Sequence, residues 1–361
     1  MKDFVEMIDG IAKKIVDIEK QRKRIGDVLR QINETNLSLD EEILEEKIIV
    51  PIERIELNDV AVAGIDGGLV KRSLHGIDMM LLRAMGVLFY YKNNKLEKVD
   101  YYPDSLSAAE PRVIMDPFSN IELELNSNME RQMAEVKTAT EVIEKFKPDV
   151  LLMDGSVVPH YTERPRKNSI LYPVYQRMIE SYIKLFEAAK RNNTILAGVI
   201  EDSRGARFCE LLNEKFFSRI PSDIKFLLNT TKDTNLLTYA LKLQERSFVF
   251  RYSSEPNKHP VLKEFGPVAN QIFTFYLKTA EFDRPIRIDF LSENIDIANK
   301  LSSIILATTG HAGYGFPSVL IEADQRAKLS EEDLEFFYSD LINKAGNLQG
   351  LMDLRRKQRP F

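Results

Sequence analysis

The chain has 361 residues, of which 44% are hydrophobic and 29% charged, enough apolar material for a substantial core and too much for a disordered chain. Its 55 acidic against 50 basic side chains give a formal charge of -5, which excludes a passive basic coat for nucleic acid. A single cysteine, Cys209, excludes an internal disulfide, a Cys-pair zinc site and an iron–sulfur cluster, and fits a reducing cytoplasm.

Phe4, Ile8, Ile11, Ile15, Ile18, Ile25, Leu29 and Ile32 recur by fours and threes, with Arg22 interrupting the seam. That spacing predicts one long helix whose narrow stripe pairs with a partner or docks on its own domain. Asp40 to Glu46 reads as an acidic connector or a second short helix, and Pro51 stops any helix that reaches it. Residues 1–55 are therefore expected as a helical arm and linker, and 56–346 as the main domain.

Val60 to Ile65 reads as a buried strand ending at Asp66-Gly67-Gly68. Leu81 to Tyr91 and Leu96 to Tyr102 read as further strands, with Asn93-Asn94 at their turn. Asn126 to Phe146 is helical in pattern and stops before Pro148, and the strand Val150 to Met153 runs into Asp154-Gly155-Ser156. A second helix, Ile170 to Arg191, precedes a strand from Thr194 to Ile200. Phe248 to Phe290 holds three more strand candidates, and Pro317 to Gly346 is mostly helical. Strands interleaved with helices predict an α/β fold with helices packed on a sheet. Residues 347–361 form a basic tail around Arg355-Arg356-Lys357-Gln358-Arg359. The longest apolar run, Met79 to Tyr91, contains Arg83 and is too short for a membrane helix, and the N-terminus lacks a signal-peptide layout.

Two segments share one design: an apolar strand, an aspartate, a glycine, a small residue. They are Ile65-Asp66-Gly67-Gly68 and Met153-Asp154-Gly155-Ser156. Each is also an ordinary Asp-Gly turn when taken alone. Two carboxylates brought side by side repel, and a shared cation relieves them. No GxxxxGK[ST], GxGxxG or GxSxG occurs, so P-loop, Rossmann and serine-hydrolase chemistry lack their signatures.

Asp66-Gly67-Gly68, the helix with Arg131 and Glu135, Leu152-Met153-Asp154-Gly155-Ser156, and Tyr314-Gly315-Phe316-Pro317 followed by Ala323-Asp324 resemble, in this order, the NurA nucleases. The resemblance implies an RNase H-like mixed sheet flanked by helices. It implies a metal-dependent DNA nuclease using Mn²⁺ or Mg²⁺, with 5′-3′ exonuclease and single-strand endonuclease activity. It also implies a homodimer that resects double-strand break ends with a hexameric HerA-type ATPase.

By position, Asp66, Glu135 and Asp154 correspond to metal-binding carboxylates of the family. Many members carry a histidine where this chain has Asp324, so Asp324 is expected as the last ligand and His311 as its rival. Glu130 competes with Glu135, and Asp202 either adds a carboxylate or caps the helix beginning near Arg204. A two-ion site about 4 Å across fits such a set. Lys71, Arg72, Arg164, Arg166, Lys167 and the tail are candidate phosphate contacts. Tyr161, Tyr172, Tyr175, Tyr314 and Phe316 are candidate base-stacking aromatics. Two rivals share the same residues: an RNase H-like nuclease acting on RNA or junctions, and a non-catalytic scaffold for an ATPase.

Overall fold

The computed structural model describes residues 2–39, 41–216, 219–223, 225–346 and 348–354. Asp40 and the basic cluster at 355–359 lie outside them. The chain forms two compact units, one from residues 1–56, 199–254 and 272–317, the other from 57–198, 255–271 and 318–361.

In the second unit, strand β2 (Val60–Ser73) pairs antiparallel with β3 (Ile77–Lys92) along its whole length. The expected stop at Asp66 is therefore wrong: β2 continues straight through Gly67 and Gly68. These glycines serve close approach rather than a turn. A Cβ on Gly68 would lie 2.0 Å from the Ala327 carbonyl oxygen, and one on Gly64 2.7 Å from that of Val319. Both contacts belong to helix α8 (Ser318–Ala327), which is thereby seated directly on β2.

Strand β4 (Lys95–Tyr102) pairs with one half of β3 through the Asn93-Asn94 turn, where both residues have positive φ, as Asn tolerates. Strand β5 (Glu110–Met115) pairs with the other half. Sequence reasoning passed over β5 because Pro111 and three charged or polar-flanked, exposed positions resemble a loop. The strand is an edge, where a proline costs no ladder bond.

Helix α2 (Asn120–Phe146) starts six residues before the predicted Asn126, because Ser119 and Glu122 form a reciprocal capping box. It ends at Lys147 in the left-handed conformation, just before Pro148. Strand β6 (Val150–Asp154) then pairs parallel with β2, from Val62↔Val150 to Ile65↔Met153. Helix α3 (Tyr172–Asn192) packs on α2, and β7 (Ile195–Ile200) returns beside β6. Helix α9 (Glu331–Ala345) follows α8 and covers Leu74, Met79 and Leu81 with Leu334. The parallel β2–β6 and antiparallel β2–β3 pairs make the sheet mixed, flanked by helices, as expected.

In the first unit, α1 (Lys2–Ile32) is the expected long helix. Its last turns bury Ile25, Leu29 and Ile32 against α6 (Asp233–Ala240), and Gly26 lets the two backbones meet. A Cβ on Gly26 would lie 2.9 Å from the Tyr239 carbonyl carbon. The first half of the stripe is different: Phe4, Ile8, Ile11, Ile15 and Ile18 remain exposed. Beyond α1, residues 41–46 are a connector without helix. Strands β1 (Ile49–Pro51), β8 (Glu245–Ser247), β9 (Phe250–Arg251), β10 (Ile272–Leu277) and β11 (Ile286–Leu291) pair antiparallel. Helices α4 (Arg207–Lys215), α5 (Lys225–Leu228) and α7 (Ile297–Thr308) complete this unit. Its core centres on Phe208, Phe248, Phe250 and Tyr276. Buried Arg246 is balanced by Glu45, at 2.6 Å, and by Asn299. Among the described residues no helix is long and apolar enough to cross a membrane.

Candidate active site

Strand β2 outruns β6. Their pairing closes at Ile65↔Met153, so Asp66 and Asp154 are the next residues on two neighbouring strands, at the point where β6 ends. Gly155 takes a positive φ of 98°, which turns the chain away from the sheet directly after Asp154.

Side chains alternate across β2. Even positions face α8, as the Gly64 and Gly68 contacts require, so Asp66 lies on that face, where it feels the charge of Asp324 on α8. Odd positions face α2, and there Gly67 receives Glu135. A Cβ at position 67 would stand 2.5 Å from Glu135 Oε1 and 2.7 Å from its Cγ. Carboxylates from the two faces thus feel one another's charge where β6 no longer fills the sheet. All four belong to the second unit.

The electrostatics express this crowding. Burial pushes Asp66 above the ordinary aspartate range; the 2.7 Å hydrogen bond from its neighbour Gly67 N–H opposes this, and Asp324 adds to it. Glu135, 4% exposed, is pushed up to about 8, first by burial and then by Asp66 and Asp154, against the pull of Arg131. Arg131 Nη1 donates to Glu135 Oε1 at 2.5 Å, one helical turn away, and also lies 3.5 Å from the Gly67 carbonyl oxygen. The pair holds the Arg131 guanidinium above its usual value. Sequence reasoning gave Arg131 no role, and the i,i+4 spacing to Glu135 was the available signal.

The donors are all carboxylate oxygens, which suit a hard divalent cation such as Mn²⁺ or Mg²⁺. Two mutually repelling aspartates and a glutamate pushed to about 8 mark a site short of positive charge, which such a cation relieves. Among the described residues no three His, Cys, Asp or Glu side chains already stand as a metal-holding group, and Glu135 is paired with Arg131.

The remaining candidates have other surroundings. Glu130 lines a cleft of about 550 Å³ with Arg83, Arg112, Tyr102 and Glu141. Asp202 and His311 lie in the first unit. Asp202 pairs with Arg284 at 3.0 Å and does not cap the helix that follows, whose cap position is Ala206. Helix α4 begins at Arg207, and its first amides donate instead to the buried Asp233 carboxylate. His311 is exposed and accepts from Gly313 N–H within its own turn.

Among the expected phosphate contacts, Arg72 is committed to a bidentate pair with Asp353 at 2.8 and 2.9 Å, a second pair with Glu335, and the Tyr338 ring. It ties down the C-terminal segment. Lys71 pairs with Glu124 and Ser127, and Arg164 with Glu264. Arg166 and Lys167 are exposed. Tyr161 is 56% exposed, Tyr172 is half-buried and Tyr314 is 38% exposed beside Phe316, whereas Tyr175 and Phe316 are buried.

Among curated proteins none matches the chain. Solved structures share its fold. The NurA nuclease from Sulfolobus solfataricus aligns at 16% identity and TM-score 0.54, covering 93% of this chain and 98% of that one. A NurA crystallised with manganese aligns at 12% and 0.59, covering 95% and 99%. A NurA bound to dAMP and manganese aligns at 13% and 0.53, covering 96% and 98%. The NurA domain profile matches residues 60–329, and this span contains β2, α2, β6 and α8 with all four carboxylates. The chain belongs to the NurA family.

Proposed function

We propose that this protein is a metal-dependent deoxyribonuclease whose ligands are Asp66, Glu135, Asp154 and Asp324. The observation that supports the reading is that Asp66 and Asp154 follow the last paired residues of β2 and β6, with Glu135 sensing both charges and Asp66 sensing Asp324, in a chain of this family. The crystallised relatives that hold manganese and dAMP support the metal and a nucleotide-bearing substrate.

In this reading Asp66, Asp154, Glu135 and Asp324 would hold Mn²⁺ or Mg²⁺, with two ions per site as the proposed count. When bound, the ions activate a water and neutralise charge on the leaving oxygen. Asp66 and Asp154 hold fixed positions because each directly follows the last paired residue of the β2–β6 ladder. Arg131 orients Glu135, and Gly67 leaves the space in which that carboxylate lies. Asp324, exposed on α8, is the ligand that meets solvent and incoming strand first.

The resemblance extends the proposal to 5′-3′ exonuclease and single-strand endonuclease activity in double-strand break resection, in the cytoplasm, as a homodimer with a HerA-type ATPase. Residues 56–346 would be the nuclease domain, 1–55 its partner-binding arm and 347–361 a basic tail. The exposed half of the α1 stripe supports the arm's role.

The test is digestion of single-stranded DNA, duplex DNA and RNA with Mn²⁺, with Mg²⁺ and in EDTA. DNA cleavage that needs the metal and disappears in Asp66→Asn is expected. Cleavage confined to RNA would favour the RNA-directed rival, and no cleavage of any nucleic acid the scaffold.

A further inference from the structure

The first unit contains a cleft of about 310 Å³ lined by Asp202, Ser203, Arg204, Lys232, Thr234, Asn235 and Arg284. Three of these are cations. Asp202 neutralises Arg284 at 3.0 Å, but among the described residues Arg204 and Lys232 have no carboxylate partner. The cleft therefore carries two uncompensated positive charges in a chain whose total is negative.

The backbone beneath these charges is fixed by a buried polar network. The Asp233 carboxylate, 1% exposed, accepts from Phe208 N–H, Cys209 N–H and Tyr276 O–H. Asp233 N–H donates to the Gly205 carbonyl and Thr234 Oγ1 to that of Ser203, tying the Arg204 loop to the start of α6, where Lys232 stands. Gly205 is pressed so closely that a Cβ would lie 2.8 Å from Tyr276 Oη and 2.9 Å from Arg287 Nη1. Two loops distant in sequence are thus locked together, and what they present in common is Arg204 and Lys232. Ordering a buried network to hold two unpaired like charges in one cleft is costly for folding and favourable for an anion that arrives later.

We propose that this cleft is a phosphate-binding subsite whose ligand is the sugar-phosphate backbone of a nucleic acid strand, an inference that rests on the nuclease reading. Arg204, Lys232 and Arg284 are all exposed, so a single phosphate here stays hydrated and is held weakly. A strand presents successive phosphates and releases counterions from each, which makes two or three exposed cations effective. Arg284 joins them when a phosphate displaces the exposed Asp202 carboxylate.

The experiment is fluorescence anisotropy of a labelled oligodeoxythymidylate, titrated with full-length protein in EDTA over a series of salt concentrations. In Arg204→Ala/Lys232→Ala the affinity at low salt falls several-fold, and the slope of log K against log salt becomes shallower by about 0.7 per lost phosphate contact. The charge-preserving Arg204→Lys/Lys232→Arg stays within about twofold of wild type, which separates charge from misfolding. Inorganic phosphate at matched ionic strength competes only weakly. Unchanged affinity and slope in the alanine variant overturn the proposal. Oligonucleotide binding that survives in that variant while inorganic phosphate binding is lost overturns it in favour of a free-phosphate site. Because binding is read in EDTA, wild-type protein that binds but never cleaves with Mn²⁺ overturns the nuclease reading alone.

Discussion

The Asp66 carboxyl on β2 lies close enough to that of Asp324 on α8 for the second charge to help push the first above the ordinary aspartate range. A cation placed between two such groups relieves their repulsion. The acids of the site come from different elements, so they are separable by mutation.

Asp66→Asn removes a charge at constant volume. Metal-dependent cleavage falls to background, while the melting temperature in EDTA is unchanged or higher, because a repulsive buried charge is gone. A gel assay with Mn²⁺ beside a thermal melt checks both halves.

Gly67→Ala tests the space in which Glu135 lies. The new Cβ meets Oε1 at 2.5 Å, and the buried carboxylate can yield only by leaving Arg131. The expected cost is about 1–3 kcal/mol in chemical denaturation. Cleavage should fall at least tenfold by about the same free energy at the site, and wild-type rates in a stable Gly67→Ala protein would contradict the assignment.

Glu135 predicts a pH dependence with a definite sign. Its carboxyl, ordinarily near 4.5, is held at about 8, so between these values the folded state binds the proton and the unfolded state does not. Its contribution to stability is fully present below the unfolded value and fades as pH rises toward 8. In EDTA the melting temperature of wild type should drop across that window more steeply than that of Glu135→Gln. Mn²⁺ affinity, measured by calorimetry, should rise over the same window as ligand protons are released.

The exposed stripe of α1 predicts association without a folding role. Ile8→Glu, Ile11→Glu and Ile15→Glu together should leave the melting temperature within about 1 °C, since all three are half exposed. The same variant should lose self-association or ATPase binding in sedimentation. Leu29→Ala, fully buried against the α6 region, should instead cost about 2–5 kcal/mol.

The strand-Asp-Gly pattern was legible because hydrophobic runs stop at a carboxylate, and it led to Asp66 and Asp154. What Gly67 and Gly68 do was not, because a glycine that admits a helix and one that makes a turn are the same letter. Local periodicity placed α2 but began it at Asn126, since the Ser119–Glu122 box lies ahead of the apolar pattern. Asp202 and Glu130 looked equivalent to the four acids until the fold put each against its own basic neighbours, a long-range fact that spacing does not encode. The Arg204–Lys232 cleft was hidden for the same reason: its two loops are joined through Asp233 and Thr234, contacts between residues distant in sequence.

Helix α8 is seated by its backbone on Gly64 and Gly68, and the exposed Asp324 side chain takes no part in that contact. Docking of the helix and identity of the side chain at 324 are therefore independent choices. On the proposed ligand set, position 324 is a place where the chain's taste in metals can be rewritten, with an imidazole drawing it toward softer ions, at almost no cost to the architecture that carries it.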